Sequence, residues 1–256
     1  MRETFNRSPP ELSEIFNTTI LLLKARWGPL ITCWREYFRP DNVRFAAERI
    51  AAKMGYRGAL FGLLWDGTDV FIQRCGGIQA LQRAVFTGHY RQHALNYLAA
   101  VTATGLFAMV VGPFAGTVND TTAYQQAQIE SKMRHLFRDV NLGRAVGDQV
   151  IAAADSAFPL SDVLLVRRDG AVLTPAEQHF NRRFSHVRIA IDWSFGKLIN
   201  HFANTNWYMK LAAGQSPIGS LPLVILFLTN CHTCFYGSET GQYFNCNPPT
   251  IEEYLQ

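Results

Sequence analysis

The stretch ALNYLAAVTATGLFAMVVGPFAGTV (94–118) contains no charged residue. Its length is about that of a membrane span. Yet Thr102-Ala103-Thr104-Gly105 interrupts it with turn-forming residues, and Pro113 and Gly116 close it. The breaks leave two apolar runs, LNYLAAV (95–101) and LFAMVVG (106–112), each of strand length and joined by a tight turn. A buried antiparallel strand pair satisfies this pattern better than a span. The other long apolar run, LPLVILFL (221–228), is far too short to span. A soluble protein without membrane contact is expected.

Working outward, ALFGLLWDGTDVFIQR (59–74) reads as an apolar strand that runs into Asp66 and continues. On the other side, TTAYQQAQIESKMRHLFRDV (121–140) reads as a helix entered through Asn119-Asp120. QVIAAADSAFPL (149–160) is another buried strand, ending at Asp155. A long helix follows over 174–202: Thr174 caps it, Pro175 takes the first position and Glu177 completes a capping box. The order strand, strand, strand, helix, strand, helix predicts an α/β fold with a central mixed sheet flanked by helices.

Ahead of the sheet, Ser8, Pro9 and Glu11 start one helix in the same way, and a second runs from about Asp41 to Met54 and stops at Gly55. An aromatic connector, GPLITCWREYFRP, separates them. The expected organisation is a helical N-terminal segment (1–57), a core (58–210) and a C-terminal extension packing on it (211–256).

With 48% hydrophobic residues the 256-residue chain can build a real core. A net charge of +4 permits an anionic partner without demanding one. Five cysteines form no regular framework, and the polar start MRETFNRSPPEL is not a signal peptide, so a reducing intracellular compartment is expected. Only Cys231-His-Thr-Cys234 has metal-ligand spacing. Zinc needs about four ligands, and ordinary buried thiols account for the pair as well.

The acids carry the chemistry. Asp66 and Asp155 each follow an apolar strand run, which places them at or near strand ends where side chains converge. Either alone could be a cap or turn former. Asp120 opens a helix and could be a plain N-cap. On the long helix, Phe180, Phe184, Ile191, Phe195, Leu198 and Phe202 form a core stripe. Beside it runs a polar row: Asn181, Ser185, Arg188, Asp192, Gly196. Asp192, between Ile191 and Trp193, needs a partner if it is buried. Arg188, one turn earlier, is the local candidate to pair with it or orient it. Converging carboxylates repel unless a cation neutralises them, and hard oxygen ligands favour Mg²⁺ or Mn²⁺.

WDGTDVFIQR, the glycine-rich passage into VND, ADSAFPL, FNRRFSHVRIAIDWSFGKL and the tail GQYFNCNPPTIEEYLQ occur in the order that resembles PIF/Harbinger-type transposases and their domesticated nuclease relatives. The resemblance implies a ribonuclease-H-like DDE endonuclease fold. It implies a two-metal mechanism with Asp66, Asp155 and Asp192 as catalytic and metal-binding acids, and Asp120 as a fourth acidic ligand. Arg182 and Arg183, beside Asp192 on the helix, would contact DNA phosphates. It also implies a nuclear, DNA-acting protein, assisted in some members by a Myb-like partner. Two departures stand out. The family usually carries Glu where this chain has Asp192. Its helix-turn-helix region precedes the nuclease, and here only Phe5 to Trp27 resembles the end of that region. The alternative expectation is therefore a domesticated or decayed DNA-binding or scaffold protein without chemistry.

Overall fold

The computed structural model describes residues 2–55, 60–202 and 211–256. The expected segment boundaries at 57/58 and 210/211 lie outside the described residues. The chain opens with the short α1 (Arg2–Phe5), α2 (Pro9–Thr32), a 3-10 turn at Arg35–Phe38 and α3 (Pro40–Met54). Glu11 accepts from the Ser8 N–H, as the capping box requires. α2 runs further than expected, through Pro29 into the aromatic connector. α3 stops at Gly55, whose left-handed φ of 60° suits glycine.

β1 (Leu60–Phe71) is followed by α4 (Gln79–Ala84), the two-residue β2 (Phe86–Thr87), β3 (Gln92–Val101) and β4 (Phe107–Ala115). β3 and β4 are the antiparallel pair read from the charge-free stretch, with Ala99 opposite Val110. From Ala94 to Val101 every residue of β3 is buried, which explains its continuous apolar run. The segment after β4 is not one helix but three: α5 (Asp120–Gln126), α6 (Ile129–Leu136) and α7 (Arg138–Asn141). Gln128 breaks it by taking a left-handed φ of 53°.

β5 (Val150–Ala154) and β6 (Leu164–Val166) complete the sheet. β1 sits at its centre, antiparallel to β3 and parallel to β5, and β6 lies parallel beyond β5. The expectation of a mixed sheet flanked by helices is met. β1 pairs with β5 only through Leu64↔Ala153, although β1 and β3 stay paired to Phe71↔Ala94. Asp66 is thus not at a strand end. It lies mid-strand, just where its parallel neighbour stops and its flank becomes accessible.

α8 (Pro175–His201) begins at the predicted cap, with Glu177 accepting from the Thr174 N–H at 2.8 Å. It packs on the sheet through Phe184, whose ring meets Phe61 edge-on at 5.6 Å. Phe180, Phe184, Val187, Ala190 and Ile191 are buried, whereas the expected stripe members Phe195, Leu198 and Phe202 are only half-buried. α9 (Leu221–Tyr236), α10 (Glu239–Phe244) and α11 (Ile251–Tyr254) follow. Trp27 of α2 stacks on Phe227 of α9, and buried Asn230 exchanges both its amide groups with the Phe107 backbone. Burial pushes the thiols of Cys231 and Cys234 on α9 up to about 11 and about 12. Among the described residues no helix is long and apolar enough to cross a membrane.

Candidate active site

The sheet delivers Asp66 and Asp155 to the same place. Asp155 immediately follows β5, and Asp66 stands on β1 beside that strand's end. α8 crosses above them and inserts Arg188 between the two. Its Nη2 donates to Asp66 Oδ2 at 2.9 Å and its Nη1 to Asp155 Oδ2 at 3.3 Å. The remaining carboxylate oxygens turn to donors next to them in the chain. Gly67 N–H donates to Asp66 Oδ1, and Ala157 N–H and the Ser156 hydroxyl donate to Asp155 Oδ1. Two acids from different strands therefore present one oxygen each to a single cation.

Their environments differ. Burial raises the Asp66 carboxyl to about 6, against the pull of Arg188 and the Gly67 N–H; the charges of Asp192 and Asp155 raise it further. Burial also pushes Asp155 up, but the Ala157 N–H, Arg188 and Ser156 outweigh it and hold that carboxyl below its ordinary value. For Asp66 the consequence for stability has a definite sign. Between pH 3.8, its ordinary value, and about 6 the folded chain binds more protons at this site than the unfolded chain. Stability should then fall as pH rises through that window. Asp155 acts oppositely, and its contribution is lost as pH falls. Melting curves of metal-free wild type and Asp66→Asn from pH 4 to 7 should diverge in this sense, and parallel profiles would rule out a raised Asp66 carboxyl.

Asp192 is exposed, so its place between Ile191 and Trp193 does not bury it or oblige it to find a partner. Ile191 is buried and Trp193 half-buried, but consecutive helix residues point about 100° apart, and the carboxylate faces a cleft of about 630 Å³ with Lys197 and Glu239. Its charge still reaches Asp66. Arg188 does not pair with it as the local spacing suggested; both of its ion pairs go to the strand acids.

Asp120, expected as a fourth acidic ligand, lies apart from the Asp66–Asp155 pair. Asn119 takes the N-cap, accepting from Thr122 N–H at 2.8 Å. This leaves the Asp120 carboxylate to lie against Gly67, where a Cβ would stand 2.7–2.9 Å from it. Residues 66 and 67 of a strand face opposite sides, so Asp120 supports the far face of β1. There it accepts from Asn96 at 3.0 Å and, behind burial itself, raises the carboxyl of Asp69, a residue the sequence did not single out.

Arg182 is exposed and lines a groove of about 620 Å³ with Arg167, Ser185 and His186. Arg183 is not free for a ligand. Its Nη1 donates to Met54 O at 3.0 Å, closing the end of α3, and its Nε donates to His179. Arg183→Ala should cost about 1–2 kcal/mol of stability by stripping a carbonyl of its charged donor. Chemical unfolding would measure this, and an unchanged midpoint would show the contact to be idle.

Over residues 65–230, more than half of the chain, the sequence matches the family model described as DDE superfamily endonuclease. The chain belongs to that family. No curated protein and no solved structure matches it significantly. The matched span of the endonuclease begins within β1 and runs past α8 into α9, and it includes Asp66, Asp120, Asp155, Arg188 and Asp192. Among the described residues no three His, Cys, Asp or Glu side chains cluster closely enough to hold a metal ion. The donor chemistry nevertheless fits a hard divalent cation in part. Two carboxylate oxygens converge on one cation position, which the Arg188 guanidinium fills.

Proposed function

We propose that this endonuclease domain is of the PIF/Harbinger type, with a ribonuclease-H-like core that hydrolyses DNA phosphodiester bonds in the nucleus. The observation that carries the reading is the shared cation position of Asp66 and Asp155 on adjacent parallel strands, beneath the helix that bears Asp192. The strand order β4-β3-β1-β5-β6, antiparallel on one side of β1 and parallel on the other, supports the same core. Mg²⁺ or Mn²⁺ held by Asp66 and Asp155, with Asp192 reaching in from α8, would supply an activated water and stabilise the leaving oxygen. Asp120 stays outside that set and braces β1 from behind.

The chain's own residues do the rest. The Gly67, Ser156 and Ala157 donors fix one oxygen of each strand acid and aim the other inward. The groove along α8 offers Arg182 and Arg167 to a phosphate backbone, with Ile189 lining both this groove and the Asp192 cleft. DNA lying there would run past the acids. Phosphate contacts set salt dependence, each contributing about one to the logarithmic salt slope. Arg167→Ala with Arg182→Ala should flatten the slope by about two and weaken binding to all sequences alike. An unaltered slope in a filter-binding or anisotropy titration would move DNA to another face.

The deciding experiment is nicking of supercoiled plasmid in Mg²⁺ and Mn²⁺. Asp192 in place of the usual Glu favours a second reading, a DNA-binding or scaffold protein that has lost its chemistry. Salt-dependent DNA binding with no nicking in either metal would establish that alternative.

A further inference from the structure

Arg188 has three donor directions and an unusual distribution of partners. Nη1 and Nη2 each bridge to a strand acid, while Nε is buried and has no hydrogen-bond partner among the described residues. The side chain is 22% exposed, beside Asp66 at 19% and Asp155 at 41%. An arginine kept only for packing would satisfy Nε, since an unpaired buried donor is costly. The guanidinium is instead held by the two carboxylate oxygens that any cation at this site would use. We propose that Arg188 is a resident counter-ion: it closes the Asp66–Asp155 site in the metal-free protein and must withdraw for a divalent cation to bind. This rests on the endonuclease reading for the identity of the competing cation.

The physical case is one of exclusive occupancy. Two carboxylates drawn to one point repel each other unless a positive charge lies between them. The planar guanidinium suits that position because its two Nη groups diverge and can serve one acid each. A metal ion uses the same oxygens, so both cannot be accommodated in this geometry. On release, Arg188 keeps two outlets along its own helix. Asp192 lies one turn onward, and Ser185, three residues back, opens on the basic groove where a substrate phosphate would arrive. The device would keep the acids assembled before loading, and it would weaken metal binding by the reciprocal of the fraction of time the bridges are open. Bridges closed nine-tenths of the time weaken apparent binding about tenfold.

Mn²⁺ affinity, read by electron paramagnetic resonance on the full chain, tests this directly. Arg188→Met should bind Mn²⁺ about tenfold more tightly than wild type while its metal-free melting temperature falls. Lys24→Gln, on the exposed side of α2, removes one positive charge but no bridge, and should change Mn²⁺ affinity less than about twofold, because exposed charges are screened. In wild type, the Arg188 Nε–H should exchange slowly with solvent and become fast on adding Mg²⁺, as seen by nitrogen-15 NMR; this needs no variant to fold. Arg188→Met binding Mn²⁺ no better than wild type, while Asp66→Asn still abolishes binding, would overturn the counter-ion role and leave the endonuclease reading standing. Failure of wild type and Arg188→Met alike to bind Mn²⁺ would overturn both.

Discussion

Asp66→Asn should abolish metal-dependent nicking and at the same time make the metal-free protein more stable. On the proposed reading Asp66 holds the metal, and loss of its carboxylate then removes several kcal/mol of transition-state stabilisation, about 10³-fold or more in rate. The stability gain has a separate origin. Folding raises the Asp66 carboxyl to about 6, chiefly by burial. Every tenfold rise in a carboxylate's proton affinity on folding costs its ionised form about 1.4 kcal/mol, so keeping this group charged at neutral pH costs on the order of 2–3 kcal/mol. Asparagine avoids that cost and its Oδ1 can still accept from Arg188, although the bridge is weaker without charge. A net gain of about 1–2 kcal/mol would raise the melting temperature by roughly 2–8 °C in a chain of this size. Calorimetry of the two proteins without metal, and again with Mn²⁺, checks both halves. The order should reverse with metal, because only wild type gains from binding. A metal-free Asp66→Asn that melts below wild type would show that the carboxylate serves the fold rather than a site.

Such a trade between stability and function is invisible in the sequence, and the reason applies to the rest of the site. Features governed by neighbours along the chain were legible. The charge-free stretch resolved into β3 and β4 because turn formers divide it, and α8 begins at Thr174 because the capping box is contained in four residues. Gly55 ends α3 for an equally local reason. Asp66 and Asp155 could be singled out because each interrupts an apolar run. What each acid touches could not be read. Helical spacing offered Arg188 only Asp192, whereas its partners lie 122 and 33 residues away. The same holds for Arg183, which looks like a free cation beside Asp192 but closes a helix 129 residues earlier. Asp120 is subtler: Asn119 took the cap expected of it, and only the alternation of β1 shows which face its carboxylate meets. The run LPLVILFL carries no period that separates a buried helix from a strand, and in the fold it opens α9.

Asp192→Glu should increase nicking, or bring it out where wild type is silent. The glutamate that the PIF/Harbinger reading expects here reaches about 1.5 Å further than aspartate, the length of one C–C bond. A misplacement of about 1 Å at a reacting centre can cost roughly 10²-fold, so the extra methylene could recover up to that factor. In the sequence the substitution carries a risk of crowding against Ile191 and Trp193. The fold removes most of it, because Asp192 is exposed on a cleft and the added carbon meets space rather than core. Stability should therefore change by less than about 0.5 kcal/mol, as for other surface substitutions. Asp192→Asn should keep the fold and lose the activity, since an amide neither neutralises nor binds a hard cation as a carboxylate does. The three proteins compared at equal metal separate a shortened ligand from a decayed site. Restoring reach at one position rescues catalysis only if Asp66 and Asp155 still form a working pair. If wild type, Asp192→Glu and Asp192→Asn are all folded and all silent in Mn²⁺, the acids no longer support hydrolysis, and the groove lined by Arg167 and Arg182 becomes the feature that defines what the protein does.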